Sequence, residues 1–189
     1  NTITFNGNGN TLHFSSDDYE EKAVIKLRNA DHFIFDSLVI DATGTGSYGF
    51  GIHLTENADS NIVRKCTILA GTTSSSDGYA GIVMSATNGE MYSTGNTWCD
   101  YNLFEGNTIK GGYWGISMAG DPRYDANSDN FIDDNKLINN TIQDFYERGI
   151  YLIGTDRAVV QGNIISRPTR TGAGSFYGIY SDGTNADLK

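Results

Sequence analysis

A Gly-Ile pair followed two residues later by another apolar residue recurs along the chain. It stands at Gly51-Ile52-His53-Leu54, Gly81-Ile82-Val83-Met84, Gly115-Ile116-Ser117-Met118, Gly149-Ile150-Tyr151-Leu152 and Gly178-Ile179-Tyr180, and Val24-Ile25-Lys26-Leu27 is a sixth copy without the glycine. The glycines are 30, 34, 34 and 29 residues apart. Within each copy the apolar residues alternate, which is the period of a strand with one buried face. No segment sustains a helical period. Repeated strand units of this length cannot each bury their apolar face alone, so they must stack on one another.

A second phrase runs in step with the first: Asn10-Thr11-Leu12, Leu38-Val39-Ile40, Cys66-Thr67-Ile68, Asn107-Thr108-Ile109, Asn140-Thr141-Ile142 and Asn163-Ile164-Ile165. Gly9, Gly106, Asn139 and Gly162 precede its asparagines. Gly and Asn tolerate a left-handed backbone, so a sharp turn is expected there. The asparagines that follow would stack in a column and satisfy turn backbone that is otherwise buried unpaired. Leu38 and Cys66 hold the same column without an amide, so the column is expected to break in the second and third coils. Extra residues fall between the markers, in polar stretches such as "SSDDYEE", "GTTSSSDG", "SATNGEMYSTGNT" and "GDPRYDANSDN". Loops thus vary while strands keep register. The 189 residues, with 23 Gly and only 2 Pro, suit one domain of many short strands and turns.

These two phrases, with the opening "ITFNGNGNTLHF", resemble the right-handed parallel β-helix repeat of pectate lyases, polygalacturonases and related proteins, Asn column included. "YGFGIHLTENADSNIVRKCTI" is similar to β-helix modules of large secreted bacterial surface proteins. The resemblance covers nearly the whole chain and rests on scaffold residues. It implies an all-β fold, a single right-handed parallel β-helix of about six coils over residues 1–189. It also implies a secreted or cell-surface location. The opening lacks a basic start and an apolar stretch, and the last residues follow another copy of the repeat. The chain is therefore expected to be a piece of a longer protein, with further domains of the same parent chain, or a mature product.

The formal charge of −10 disfavours nucleic acid, which wants a basic stripe; the 13 Lys and Arg are scattered singly. No apolar run approaches a membrane span. The two cysteines, Cys66 and Cys99, are too few for a disulfide framework and are expected to be unbonded to each other.

The residue between the two apolar positions of the Gly-Ile phrase points outward. Coil by coil this gives Lys26, His53, Val83, Ser117, Tyr151 and Tyr180. In β-helix enzymes the resemblance places catalytic groups on this sheet and its turns, as a lyase base or paired carboxylates. This column holds one Lys, one His and no carboxylate, and His53 is expected to be an exposed or lightly bonded strand residue. Asp17-Asp18 and Asp133-Asp134 lie in turns. Aromatics precede the Gly-Ile phrase. Phe50, Trp114 and Tyr177 are expected to fill a corner of the core, with Tyr113 outside if Trp114 is inside. The alternative is an aromatic patch on the sheet. The candidate carbohydrate site on that patch is Tyr113, Glu147, Arg148, Tyr151, Tyr177 and Tyr180, with the guanidinium fork suited to a carboxylate or sulfate.

Asp125, Asn127, Asp129 and Asp133 match positions of a calcium-binding loop, but Asn130 replaces its turn glycine and Lys136 its bidentate acid. An ordinary Asp/Asn-rich turn is expected there, with a calcium ion, helped by Asp121, as the alternative. No other cofactor is expected. Three roles stay open. One is a non-catalytic module binding or presenting to polysaccharide. The others are a fragment of a polysaccharide lyase or glycoside hydrolase, and a structural stalk or phage-type fibre segment.

Overall fold

The structure, a computed structural model, describes residues 1–123, 131–172 and 175–189. The regular structure among these residues is all strand. The strands form three six-stranded parallel sheets and one two-stranded sheet. The first sheet stacks Ile3–Asn6, Phe33–Asp36, Ile62–Arg64, Leu103–Glu105, Lys136–Ile138 and Val159–Gln161. The second stacks Thr11–His13, Val39–Asp41, Thr67–Ala70, Thr108–Gly111, Thr141–Gln143 and Ile164–Ser166. The third stacks Ala23–Arg28, Gly49–Thr55, Tyr79–Met84, Trp114–Ala119, Arg148–Ile153 and Tyr177–Ser181. The chain visits the three sheets in turn and then starts again one level on. The result is a parallel β-solenoid of six coils.

Both sequence phrases become columns. Ile25, Ile52, Ile82, Ile116, Ile150 and Ile179 are register partners along the third sheet, and Ile40, Ile68, Ile109, Ile142 and Ile165 along the second. With Phe35, Val63, Phe104 and Leu137 of the first sheet they make the interior, and the central coils are sealed completely. Each such side chain contributes about 1.5–3 kcal/mol by leaving water.

The glycine of the first phrase has a steric reason. A Cβ on Gly51 would stand 2.6 Å from the carbonyl oxygen of Gly81. On Gly81 it would stand 2.4 Å from Gly115 O, and on Gly115 2.6 Å from Gly149 O. Each coil's backbone presses on the next at this point, which leaves no space for a side chain.

The turn before the second phrase is left-handed in every coil: φ is +81° at Gly9, +57° at Ser37, +53° at Lys65, +63° at Gly106, +54° at Asn139 and +68° at Gly162. Asn107 and Asn140 behind it are buried and Asn163 is half-buried. Asn140 Nδ2 donates to Asn163 Oδ1 at 3.0 Å and to Phe104 O at 2.9 Å. The column loses its amides at Cys66 and Leu38, as expected. A second asparagine column, not anticipated, sits at the entry to the first sheet. Asn61 N donates to Asn102 Oδ1 and Asn102 N to Asn135 Oδ1, each at 2.9 Å. An aspartate column runs beside it: Asp59 N donates to Asp31 Oδ1, Asp100 N to Asp59 Oδ1 and Asp133 N to Asp100 Oδ1. Cys66 and Cys99 are both buried and free.

Candidate functional site

The outward column of the third sheet is not exposed. His53, Val83, Ser117 and Tyr151 are all buried. The cover is the polar segment 85–97, which follows the strand Tyr79–Met84 and folds back over it. Ser117 Oγ donates to Met91 O, Lys22 Nζ to Gly89 O and Thr97 Oγ1 to Ala119 O. His53 Nε2 bonds Ser85 Oγ at 3.0 Å. His53 is therefore a buried anchor of this strap rather than an exposed strand residue. Burial, with Lys26 nearby, pushes its pKa down to about 3, so it stays neutral at ordinary pH. An imidazole held so far below neutrality is a poor general base near pH 7.

Under the strap lies a second apolar cluster: Phe50, Ala80, Val83, Met91, Trp114 and Tyr151. This corrects the placement of Phe50 and Trp114, which pack outside the solenoid wall and not in a corner of its core. The reason is the backbone at the Gly-Ile phrase. The close-packed glycine lies between the residue before it and the inward Ile. Phe50, Ala80, Trp114, Arg148 and Tyr177 thus pair as a column of their own. Tyr177, also expected in the core, is 43% exposed.

Where the strap ends, the face opens into a cleft of about 410 Å³ lined by Asp77, Met91, Tyr92, Tyr113, Trp114, Glu147, Arg148, Tyr151 and Asp182. Four of the six expected carbohydrate-site residues, Tyr113, Glu147, Arg148 and Tyr151, line it, and Tyr177 and Tyr180 adjoin it. Tyr151 stacks on Tyr180 at 6.1 Å and Tyr177 meets Tyr180 at 5.0 Å. On the other side Tyr113 stacks on Tyr146 at 5.4 Å and Trp114 lies 4.5 Å from Tyr151. Register carries these rings, since adjacent coils repeat at about 4.8 Å.

The guanidinium of Arg148 sits among the rings, 4.4 Å from Trp114, 4.9 Å from Tyr151 and 4.4 Å from Tyr180. Such cation–π contacts gain strength where water is excluded. Its buried Nε has no hydrogen-bond partner among the described residues, and Glu147 Oε2 stands 3.7 Å away. Glu147 Oε2 instead accepts from Trp114 Nε1 at 2.9 Å. Tyr151 donates its hydroxyl to Asp182 Oδ2 at 3.3 Å; burial, and then Asp182, push its pKa up to about 12. Burial and Glu147 raise that of Tyr113.

Asp77, Tyr92 and Asp182 were not legible as site residues. Each comes from a turn or strap whose path the strand pattern leaves free. For Asp77 and Tyr92 the signal was the length of "GTTSSSDG" and "SATNGEMYSTGNT"; Asp182, just past the last Gly-Ile copy, had none. Of the candidate calcium ligands, Asp125, Asn127 and Asp129 lie outside the described residues. Asp133 is described, and Arg157 Nη2 holds it at 2.8 Å and Asp134 at 3.0 Å. Asp121 is paired with Arg123. No group of three or more metal-ligating side chains occurs among the described residues. No protein-family model and no curated protein matches this chain.

Proposed function

We propose that this solenoid is a non-catalytic module of a secreted or cell-surface bacterial protein, related to the pectate-lyase-like β-helix repeats, that binds polysaccharide in the cleft of the third sheet. One observation carries the reading: Tyr113, Trp114, Tyr151, Tyr177 and Tyr180 form a run of rings beside an open cleft of about 410 Å³. Rings offer the apolar faces of sugars a flat surface at low entropic cost. The carboxylates and hydroxyls around them suit sugar hydroxyls. The resemblance carries the secreted location. Inward apolar residues left exposed on both terminal coils, Phe5 (48%) and Ile179 (52%), support further coils or caps of a parent chain stacking there. The reading needs no cofactor, nucleic acid or membrane insertion.

A hydrolase fragment is the second reading, favoured by Asp77, Glu147 and Asp182 on one cleft. Titration with neutral and charged oligosaccharides, with reducing ends followed in parallel, separates the two. Binding with a Kd on the order of 10 µM to 1 mM and no new reducing ends is expected, as an open face buries little of its ligand. Tyr180→Ala, at the cleft's margin, should weaken it several-fold. New reducing ends lost in Glu147→Gln would make the module an enzyme. Silence across the whole panel would leave the structural-stalk role.

A further inference from the structure

The charges around the cleft point to its ligand class. Asp77, Glu147 and Asp182 face a single guanidinium, Arg148, which gives three negative charges against one positive. The guanidinium is partly occupied already, with its carbon within 5 Å of three ring centroids and its side chain 18% exposed. The carboxylates are better placed to meet a ligand. Asp77 is exposed on the turn that enters the coil-three strand of the third sheet. Asp182 is exposed just beyond the coil-six strand. They thus stand at opposite ends of a diagonal across the sheet, spanning three coil steps, or about 14 Å along the axis. Glu147 lies between them, half-buried, with one oxygen held by Trp114. Glu90 adds to the same field, because it acts together with Asp77 on both Lys22 and Tyr19. Lys22 is a partial counterweight, since it interacts with Asp77 and Glu90, but it is buried under the strap and bonded to Gly89 O and so does not meet a ligand.

A polyanionic sugar would meet these carboxylates before it reached Arg148. A ligand with positive charge along an otherwise sugar-like chain meets complementary charge at both ends and aromatic faces between them. Resting on the glycan reading above, we propose that the cleft selects a polysaccharide carrying free, protonated amino groups, a glucosamine-type chain, over its neutral and acidic counterparts. The rings of Tyr113 and Tyr92 take the sugar faces, and Asp77 and Asp182 take the ammonium groups.

Three tetrasaccharides of equal length test this by calorimetry on the whole chain at about pH 5.5, where the amines are protonated. They are the β-1,4-linked glucosamine tetramer, its fully N-acetylated form and a uronate tetramer. The amino tetramer should bind about tenfold more tightly than the acetylated one at low salt. Screening should erode the advantage near 0.5 M salt. In Asp77→Asn, and in Asp182→Asn if its melting curve shows it folded, the ratio of the two affinities should fall toward one. Asp77 is exposed on a turn, so that variant alone suffices. Equal affinity for the first two tetramers, or tighter binding of the uronate, overturns the charge selection and leaves the glycan reading standing. No binding of any tetramer overturns both.

Discussion

The side-chain oxygen of Asn140 accepts two hydrogen bonds from Asn107, one from its backbone N–H and one from its Nδ2, each at 3.0 Å across 33 residues of chain. The same carboxamide donates to Phe104 O and to Asn163 Oδ1. One side chain thus ties three consecutive coils at a left-handed turn. In Asn140→Ala the buried N–H of Asn107 loses its partner and the carbonyl of Phe104 loses the bond from Asn140 Nδ2. The loss should cost about 1–3 kcal/mol, read from urea denaturation midpoints at unchanged slope. A midpoint within error of the parent would show that water replaces the amide at no cost.

Cys66 is the place to extend this column. Its N–H already donates to Asn107 Oδ1 at 2.9 Å, and its thiol reaches toward Phe35 O at 3.6 Å. One coil on, Asn107 Nδ2 makes the equivalent bond to Val63 O at 2.9 Å. Cys66→Asn should therefore stabilise the fold, by about 1 kcal/mol for the added amide bond. A lowered melting temperature would mean that the pocket around Cys66 is too tight for a carboxamide. Burial raises the thiol pKa, so the parent cysteine should react slowly with alkylating agents until the protein unfolds.

Two glycines of the same phrase should respond oppositely to one methyl group. A Cβ on Gly115 would lie 2.6 Å from Gly149 O and 2.4 Å from Ile142 Cγ2, whereas on Gly178 its nearest neighbour is Ile165 Cγ2 at 3.9 Å. Gly115→Ala should cost at least about 1–3 kcal/mol, because backbone has to shift. Gly178→Ala should stay within about 0.5 kcal/mol of the parent. Equal effects at the two sites would remove coil-to-coil pressure as the reason for the glycine.

Chelation should leave the melting temperature unchanged. Asp133, the described member of the loop pattern, is bonded to Arg157, and Asp121, its suggested helper, to Arg123. A divalent cation would have to displace these guanidinium groups. A melting temperature lowered by chelator and restored by calcium would show that it does, since a ligand that binds only the native state stabilises it.

The sequence carried the solenoid clearly because every coil repeats the constraints that build it. The inward isoleucines, the glycine pinned by the next backbone and the left-handed turn before Asn107 and Asn140 each recur in step. The second asparagine column was equally present in Asn61-Ile62-Val63, Asn102-Leu103-Phe104 and Asn135-Lys136-Leu137, and simply competed with a stronger phrase. What could not be read was the outer face. Strand alternation says that His53, Ser117 and Tyr151 point away from the core, but not that segment 85–97 returns to cover them. That path depends on contacts such as Lys22 to Gly89, 67 residues apart. Tyr151 and Tyr180 were legible on the outer face because they follow coil register, whereas Trp114 and Tyr177 were expected in the core; of the acids beside them Glu147 was legible, and Asp77 and Asp182 were not, because they lie outside the strands.

His53 gives that covered face a pH signature. Its folded-state pKa is pushed down to about 3 by burial and by Lys26, with a smaller contribution from Lys22, while its bond to Ser85 acts the other way. In the unfolded chain its pKa returns to about 6.5. Above pH 6.5 both states hold the ring neutral, and it adds no pH dependence. Between about 6.5 and 3 the unfolded state takes up a proton that the folded state refuses, so stability falls as pH falls, by up to about 1.4 kcal/mol per pH unit. Asp36, Glu56, Asp121 and Asp144 have lowered pKa values, so their contribution is lost only at the acid end of this range. Asp59, whose pKa burial raises, works the other way as pH falls, so the difference between the parent and His53→Gln in urea melts between about pH 7 and pH 4.5 is what isolates the imidazole. The parent should lose stability steadily across this interval. His53→Gln, which keeps a polar group facing Ser85 without a titrating ring, should lose much less. Parallel slopes in the two proteins would show that the strap opens readily enough to hydrate His53, and the closed outer face would then not describe the protein in solution.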